Sequence, residues 1–358
     1  MKHIFVTGAG GYIGSVLIPK LLDKGYKVTA LDRFFFGENK LTAHPSLTIM
    51  KQDCRQIKLS DLEGMDAVID LVAISNDPSG ELFQMVTNEI NHLARARTAR
   101  LAKQAGVKRY ILPSSCSIYG FQNEDTPITE TAKTNPLTTY ARANERAELA
   151  VLPLADKDFT VTVLRQATVY GHSPRMRFDL AVNGMTYGAW ENGVIPLMRN
   201  GKQWRPMIHV SDTTDVMCLL LEAEAQVING EIFNVGTAYG NYQLLELATE
   251  IADVLPISVE IKWYGDPDHR SYRVSFDKIK QRLGWSGCFT AADGALDIFQ
   301  RLSDGTLKKT PETITLDWYQ QLVKWHGIIQ QTSQNGGMLE LQPNEGLTIY
   351  RMGTKQPS

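Results

Sequence analysis

The chain has 358 residues, of which 43% are hydrophobic and 21% charged, and its formal net charge at pH 7 is −2. This balance excludes the strongly basic surface typical of nucleic-acid-binding proteins, and no apolar run approaches the roughly 18 residues of a transmembrane helix. The four cysteines, Cys54, Cys116, Cys218 and Cys288, lack metal-ligand spacing. We therefore expect reduced thiols, no metal, a cytoplasmic location and neither a nucleic-acid nor a membrane partner.

Residues 1–33 predict a strand, a glycine-rich turn, an amphipathic helix and a second strand that ends at Asp32. In such a unit, Gly8 permits the tight turn, Gly11 lets the backbone approach a pyrophosphate, and Gly14 lets the helix pack against the strand. The helix N-terminus directs free N–H groups at the phosphates. The stretch is therefore predicted to bind a dinucleotide.

Three residues bear on which dinucleotide is bound. A carboxylate at Asp32 can accept hydrogen bonds from both ribose hydroxyls, which favours NAD over NADP, whereas the adjacent Arg33 is able to accommodate a 2′-phosphate. Asp53, which follows a third strand, either bonds the adenine amino group or caps a short helix.

The rest of the chain alternates strands and helices up to Gly171, and then the order changes. Alternation predicts an α/β fold with a doubly wound parallel sheet. We predict a dinucleotide-binding Rossmann domain over residues 1–171, with strands returning from 207–236. A smaller C-terminal α/β lobe over 172–330 is predicted to bind substrate, and residues 331–358 are predicted to form a tail.

A serine at the end of a strand and a tyrosine at the start of the following helix suggest redox chemistry at a carbon that carries a hydroxyl. The phenolate of Tyr140 takes the hydroxyl proton, and the Ser115 hydroxyl orients the same oxygen. Such a base needs its pKa lowered from about 10, normally by a nearby cation.

Taken together, these motifs resemble those of extended short-chain dehydrogenases/reductases of the nucleotide-sugar epimerase/dehydratase type, over roughly residues 1–305. The resemblance rests on the following residues: Gly8-x-x-Gly11-x-x-Gly14, Asp32, Ser115 before Tyr119-Gly120, Tyr140 with Glu148, Arg165, Val169-Tyr170-Gly171, and Arg205-x-x-Ile208-His209-Val210-x-Asp212.

The resemblance implies NAD as cofactor, a nucleotide sugar as substrate and a homodimer built from helices near residues 85–105 and 138–153. It implies three catalytic residues: Tyr140, Ser115 and Asn144. It implies that the cofactor is lined by Gly8, Gly11, Tyr12, Ile13, Asp32, Arg33, Asp53, Cys54, Leu71, Ala73, Asn88, Tyr140 and Asn144. It implies that the substrate is held by Ser75, Ser115, Asn183, Arg205 and Arg270.

One departure from the family pattern concerns the tyrosine base. The family reads Tyr-x-x-x-Lys, and this chain has Asn144 where the lysine would stand. Asn can bond the cofactor ribose but brings no charge, and Arg142 points away from Tyr140 on a helix. Three alternatives stay open: a less acidic tyrosine that still works, a cation supplied from elsewhere, or a site that only binds.

The reaction is narrowed by the residues after Ser115. Sugar dehydratases of the family carry Thr-Asp-Glu where this chain has Ser115-Cys116-Ser117, so no carboxylate is available for eliminating water. A buried structural thiol is expected for Cys116. We predict 4-epimerisation through a transient 4-keto sugar, with a dehydrogenase, reductase or dehydratase, or a catalytically weakened dinucleotide-binding protein, as alternatives. His209 is predicted to pack rather than to catalyse.

Overall fold

The computed structural model describes residues 2–121, 126–266 and 271–334. The chain divides into two units, residues 1–315 and residues 316–358, and each is described by itself. The strands of the first unit are β1 (His3–Thr7), β2 (Lys27–Asp32), β3 (Leu47–Lys51), β4 (Ala67–Asp70), β5 (Arg109–Ser115), β6 (Thr160–Gln166), β7 (Thr168–Tyr170), β8 (Val194–Met198), β9 (Trp204–His209), β10 (Glu231–Val235), β11 (Asn241–Gln243) and β12 (Glu260–Tyr264).

The helices follow the strands in alternation over the first half. They are α1 (Gly14–Asp23), α2 (Asp77–Leu82), α3 (Gln84–Asn88), α4 (Arg95–Gln104), α5 (Thr139–Val151), α6 (Ala181–Asn192), α7 (Val210–Glu222), α8 (Ala225–Ile228), α9 (Leu244–Val254), α10 (Asp277–Leu283), α11 (Ala291–Ser303) and α12 (Thr315–Gln334). A π-helical segment, Glu89–Ala94, joins α3 to α4.

Seven strands form one parallel sheet in the order β10-β6-β5-β4-β1-β2-β3. The direction of winding reverses between β1 and β4, which is the topological switch point where α/β sheets bind ligands beyond the carboxyl ends of the strands. The predicted doubly wound α/β fold is thereby confirmed.

The two faces of this sheet bury separate apolar cores, because successive strand residues point to opposite sides. Ile4 and Val6 of β1 lie in one core with Leu17 of α1 and Val216 of α7. Phe5, between them, lies in the other core with side chains of α4 and α5. Helices therefore cover both faces, and burial on both sides accounts for the nearly continuous apolar sequence of the strands.

A smaller lobe within the first unit is built around a third core. Side chains of α6, α9 and α11 pack there with residues of β8 and β9. Its strands form a three-stranded sheet, β11-β9-β7, and a parallel pair, β12-β8. The strand β8 was not predicted from the sequence. The predicted division of the chain at residues 171 and 330 stays a prediction.

The second unit is described only through Gln334, where α12 ends. Trp318 and Trp325 meet edge to face on this helix, with ring centroids 5.4 Å apart. Across the described parts of both units, no helix has the length and apolar character needed to cross a bilayer. Most of the predicted tail lies outside the described residues.

Candidate active site

The glycine-rich turn joins β1 to α1 beside the end of β4, at the switch point. Gly8 has a φ of +65°, and a Cβ there would lie 2.7 Å from the Val72 amide nitrogen. A Cβ on Gly14 would lie 2.4 Å from the Gly8 carbonyl oxygen. Both positions thus require glycine for the fold itself. A Cβ on Gly11 would approach only the Gly8 carbonyl oxygen, at 3.1 Å. Because Gly11 has no side chain, the face where a pyrophosphate would approach stays open.

Asp32 lies at the carboxyl end of β2, against the same turn. Its carboxylate accepts hydrogen bonds from the Gly10 amide (3.0 Å) and the Phe34 amide (2.6 Å). Burial raises the pKa of Asp32, and these backbone donors oppose that rise. The turn, the helix N-terminus and this carboxylate together fit a dinucleotide, with the carboxylate placed for ribose hydroxyls.

The guanidinium of Arg33 is directed away from Asp32. It forms an ion pair with Asp53 at 2.8 Å, and Arg55 pairs with the same carboxylate at 2.8 Å. Hydrogen bonds from Arg55 hold the pKa of Asp53 well below its usual range. Asp53 also accepts from the Arg55 amide as the cap of a short helix, and burial raises the pKa of the neighbouring Cys54 thiol to about 12.

The loop that follows β4, which includes Leu71, Ala73 and Ser75, is held by Asn91. The Asn91 side chain accepts from the Ile74 amide (2.8 Å) and donates to the Ile74 carbonyl (3.0 Å). Asn88 accepts from Arg146 at 3.3 Å and lies 3.4 Å from the His92 Nδ1, and its predicted place beside the cofactor stays a prediction. Asn88 and Asn91 are three residues apart and thus share a helical face, but the sequence analysis did not identify Asn91 as the residue that reaches this backbone.

The three predicted catalytic side chains do come together. Ser115 ends β5 and Tyr140 lies in the first turn of α5, which Thr138 caps by accepting from the Ala141 amide at 3.1 Å. Asn144 follows one turn after Tyr140 on the same face. Nδ2 of Asn144 donates to the Tyr140 backbone carbonyl at 3.1 Å, and hydrogen bonding by Ser115 and Asn144 acts to lower the pKa of the Tyr140 phenol. A phenol, a hydroxyl and an amide therefore converge beyond the carboxyl edge of the sheet.

Tyr140 is half-buried, and α2 packs against its backbone and Cβ, since a Cβ on Gly80 would lie 3.1 Å from the Tyr140 Cβ. Burial raises the pKa of Tyr140 above its usual value. The charge of Arg95 and the bonds from Ser115 and Asn144 lower it, whereas the Asp77 carboxylate raises it. Arg177 also faces this phenol. Sequence reasoning missed both arginines.

Arg95 begins α4 and is almost completely buried, with 2% of its surface exposed. Its Nη1 donates to the Asn144 Oδ1 at 3.0 Å. Its Nη2 donates to the backbone carbonyls of Asp70 (2.7 Å) and Pro113 (2.6 Å). The guanidinium thus joins the ends of two central strands to the amide beside Tyr140.

The predicted substrate residues lie in two places. Ser75 accepts from Arg177 at 3.3 Å, and Arg177 pairs with Asp179 at 2.7 Å. Burial opposes ionisation of Asp179, but Arg177 outweighs it and lowers the carboxyl pKa to about 2. Arg205 lies over the Tyr272 ring, 5.6 Å from its centroid. Arg270 lies outside the described residues.

Asn183 is fully buried and joins the lobe to the cofactor turn. Its side chain accepts from the Gly171 amide (2.9 Å) and donates to the hydroxyl of Tyr12 (3.1 Å). Tyr12, which follows Gly11 and precedes Ile13 at the start of α1, donates to the Gly171 carbonyl at 2.6 Å. In the described structure, Asn183 thus serves contacts within the chain.

Two residues after Ser115 limit the chemistry. The Cys116 thiol is buried and donates to the Arg165 carbonyl at 3.2 Å, and burial raises its pKa far above the usual range. Ser117 Oγ is buried and has no hydrogen-bond partner among the described residues. Next to the phenol, the serines and this thiol thus contribute no carboxylate.

The two histidines near the site differ in their surroundings. His209 stacks on Phe289, with centroids 4.3 Å apart, and accepts from the Ser211 amide, so it packs as the sequence predicted. Burial lowers its pKa to about 4. His172 lines a cavity of about 300 Å³ together with Lys40, Arg175 and Lys308. Within the described residues, no group of three or more His, Cys, Asp or Glu side chains has metal-binding geometry.

Comparison with known proteins gives consistent matches. The sequence model of the NAD-dependent epimerase/dehydratase family matches residues 4–236. A UDP-glucose 4-epimerase of Lactobacillus helveticus is 26% identical over 307 residues, which cover 79% of this chain and 91% of that enzyme. A putative UDP-arabinose 4-epimerase of Arabidopsis thaliana is 28% identical over 336 residues, which cover 84% of this chain and 79% of that protein.

Among solved structures, MoeE5 in complex with UDP-glucuronic acid and NAD superposes with a TM-score of 0.75 at 25% identity, covering 85% of this chain and 99% of that one. The UDP-glucose 4-epimerase of Thermotoga maritima superposes with a TM-score of 0.75 at 21% identity, covering 85% and 100%. The second likeness concerns the fold alone.

Proposed function

Because the chain belongs to the NAD-dependent epimerase/dehydratase family, we propose that it is an NAD-dependent 4-epimerase of a nucleotide-activated sugar. The observation that supports this most directly is the convergence of Tyr140, Ser115 and Asn144 beyond the carboxyl edge of the sheet, at the side of the dinucleotide turn. A phenol and a hydroxyl in that position suit proton removal from a sugar hydroxyl.

NAD, when bound, supplies the acceptor and later the donor of a hydride at the sugar carbon. The glycine turn and the N-terminus of α1 would hold its pyrophosphate, and Asp32 would hold the adenosine ribose. The Asp32 carboxylate and the pairing of Arg33 with Asp53 both favour NAD over NADP, because a 2′-phosphate would approach a carboxylate without a free guanidinium to receive it.

The chain's own groups would manage the proton. Tyr140, once ionised, takes the proton of the 4-hydroxyl, and Ser115 orients that oxygen by hydrogen bonding. The same phenol returns the proton after the sugar has presented its other face. Arg205 and Arg270 are proposed to hold the nucleotide diphosphate, since a guanidinium binds phosphate oxygens through two parallel bonds.

The residues beside Ser115 favour an epimerase over a dehydratase. Elimination of water needs an acid and a base next to the sugar. The Cys116 thiol is committed to a backbone carbonyl and has a raised pKa, so it cannot serve as either.

The test is a panel of nucleotide sugars, with UDP sugars first, incubated with NAD and the full chain. Epimer formation would be followed by NMR and net reduction of NAD by absorbance. We expect a 4-epimer without net NADH. Tyr140→Phe should lower turnover by about 10²-fold or more, and Cys116→Ala should retain activity as the matched control.

Other outcomes would contradict the proposal in distinct ways. Accumulation of NADH in proportion to product would identify a dehydrogenase, and a 4-keto-6-deoxy product would identify a dehydratase. Tight binding of NAD and of a nucleotide sugar without turnover at any pH would identify a protein that only binds.

We also propose that the chain is a homodimer. Three large apolar side chains on the helices of residues 85–105 and 138–153 are exposed: Met85, Leu93 and Leu149, with exposures of 75%, 50% and 67%. Apolar side chains on neighbouring helices are suited to a helix-to-helix contact between copies.

A further inference from the structure

The unusual feature of the site is a buried positive charge next to the tyrosine base. Arg95 is buried, and among the residues that the structure describes no carboxylate lies within ion-pair distance of it. The nearby Asp70 carboxylate accepts from the hydroxyls of Thr7 (2.5 Å) and Tyr110, while Arg95 bonds only the Asp70 backbone. An arginine without a direct ion pair keeps a strong local field, because little solvent screens it.

The geometry directs this charge at Tyr140 through one amide. Arginine has only donors, so the atom of Asn144 that faces Arg95 Nη1 at 3.0 Å must be the oxygen. The amide nitrogen is then turned toward Tyr140, whose backbone carbonyl it bonds at 3.1 Å, and hydrogen bonding by Asn144 lowers the pKa of the Tyr140 phenol. The cation polarises the amide, and the amide presents its positive end to the tyrosine.

We propose that Arg95, acting through Asn144, supplies the positive charge that stabilises the ionised Tyr140. Arg95 is a positioning residue in this arrangement, because it contacts Asn144 rather than the reacting atoms. The inference rests on the proposed function for its consequence in catalysis, but its physical content concerns the tyrosine alone.

Other charges face the phenol and have to be weighed. Asp77 of α2 opposes ionisation. Arg177 faces the phenol from the segment before α6, but it is paired with Asp179. Glu148, one turn beyond Asn144 on α5, is paired with Arg165. The charge of Arg95 lowers the pKa of Tyr140, and, unlike Arg177, Arg95 has no paired carboxylate among the described residues.

A purely structural role explains only part of the contacts of Arg95. The bonds of Nη2 to the Asp70 and Pro113 carbonyls tie β4 to β5. The bond of Nη1 to Asn144 is not needed for that tie. It places the second branch of the guanidinium one helical turn below the phenol.

The experiment measures the ionisation of Tyr140 directly, in the full chain labelled with carbon-13 at the tyrosine ring ζ carbon. The NMR signal that is missing from Tyr140→Phe belongs to Tyr140, and its titration is followed with and without NAD. Three variants are compared with the parent: Arg95→Met, which removes the charge; Arg95→Lys, which keeps it; and Arg95→Met/Asn144→Lys, which moves it across the hydrogen bond.

We expect Arg95→Met to raise the Tyr140 pKa by about one unit or more. In Arg95→Lys and in the double variant, the Tyr140 pKa should differ from the parent value by no more than about half of that shift. In enzyme assays, the alkaline-rising limb of kcat/KM should move up by the same amount, with the KM for the sugar little changed. If Arg95→Met and Arg95→Lys both leave the pKa of Tyr140 as in the parent, or both shift it alike, the proposal is wrong.

A fourth variant is informative even if Arg95→Met does not fold. Asn144→Leu leaves every carbonyl bond of Arg95 in place and removes only the amide between cation and phenol, so it should also raise the Tyr140 pKa. No shift in this variant would overturn the proposed transmission through Asn144. The titration needs no sugar: a negative panel with a positive titration refutes the epimerase alone, and the reverse refutes only the role of Arg95.

Discussion

Replacing Asn144 with the lysine of the family pattern should damage this protein. The Asn144 oxygen lies 3.0 Å from Arg95 Nη1, so the introduced ammonium would come within about 4 Å of a guanidinium in a buried site. Two unit charges at that distance repel by about 4 kcal/mol at an effective dielectric constant near 20. A protein of ordinary stability, about 5–15 kcal/mol, would lose a large part of its free energy of unfolding.

Urea unfolding followed by circular dichroism would measure this loss. Asn144→Met is the matched control, because it has similar length and no charge. The control should lose the two hydrogen bonds of the Asn144 amide, of which the one to Arg95 is worth about 1.5–3 kcal/mol. Asn144→Lys should lose about 4 kcal/mol more than the control. Arg95→Met/Asn144→Lys should recover that excess, which a double-mutant cycle reports as coupling between the two sites.

The stability of Asn144→Lys should also depend on pH, in a direction set by the pKa of the introduced lysine. Arg95 holds the pKa of the introduced ammonium below the value of about 10.4 in the unfolded chain. Between those two values the unfolded state binds more protons, so the stability of Asn144→Lys rises with pH and approaches that of Asn144→Met. If Asn144→Lys is as stable as Asn144→Met at pH 7, the charge of Arg95 is neutralised by its surroundings and the reasoning fails.

Three further predictions follow from the fold and the site. Gly14→Ala should lower the free energy of unfolding by about 1–3 kcal/mol, because its Cβ would lie 2.4 Å from the Gly8 carbonyl. Gly11→Ala should keep the free energy of unfolding within about 1 kcal/mol of the parent but weaken NAD binding, measured by calorimetry, at least about tenfold. If the two variants change stability and NAD affinity alike, this reasoning is wrong. The free energy of unfolding should fall by roughly 3 kcal/mol as the pH drops from 6.5 to about 4, since the folded state resists protonation of His209 there and the unfolded state does not; His209→Asn should flatten that slope in denaturant titrations at several pH values, and an unchanged slope would rule His209 out as its source. Leu149→Glu should convert a dimer into a monomer in light scattering, whereas Leu245→Glu, also exposed but on α9, should not; a monomeric parent chain would remove the dimer altogether.

The sheet could be predicted from the sequence because its signals are local. Each central strand is an apolar run followed by a turn, and the first βαβ unit carries its glycines and its acid at fixed places. β8 could not be found in this way. Pro196 argues against a strand. Among the described residues β8 pairs only with β12, and proline is tolerated in a strand with a free edge.

The asparagine that holds the β4 end was missed for a geometric reason. Helical spacing placed Asn88 and Asn91 on one face, which left either free to approach the cofactor side. The segment Glu89–Ala94 is π-helical, and its wider turns shift the register of the following side chains relative to a regular α-helix. Sequence periodicity assumes one register throughout and therefore cannot decide between the two residues.

Arg95 was missed because a sequence rich in charged residues does not indicate which of them is buried. Arg95, Arg97 and Arg100 all occur in one short helix, and such a run is usually a solvated face. Only packing distinguishes Arg95, which is buried, from Arg97 and Arg100, which reach nearby carbonyls at the periphery. The carbonyls of Asp70 and Pro113 that receive Arg95 come from strands distant in sequence.

Arg95 and Asn144 should therefore be considered as one unit. Asn144 alone suggests a site that has lost its cation, and Arg95 alone suggests a charged helix surface. Together they place a cation and a polarised amide beside Tyr140, at the position where a base needs both. A lysine at residue 144 is compatible with a neutral residue at 95, and an asparagine at 144 is compatible with an arginine at 95. A lysine at residue 144 together with Arg95 is unfavourable because the two cations repel each other. The residue at either position therefore restricts which residues are tolerated at the other.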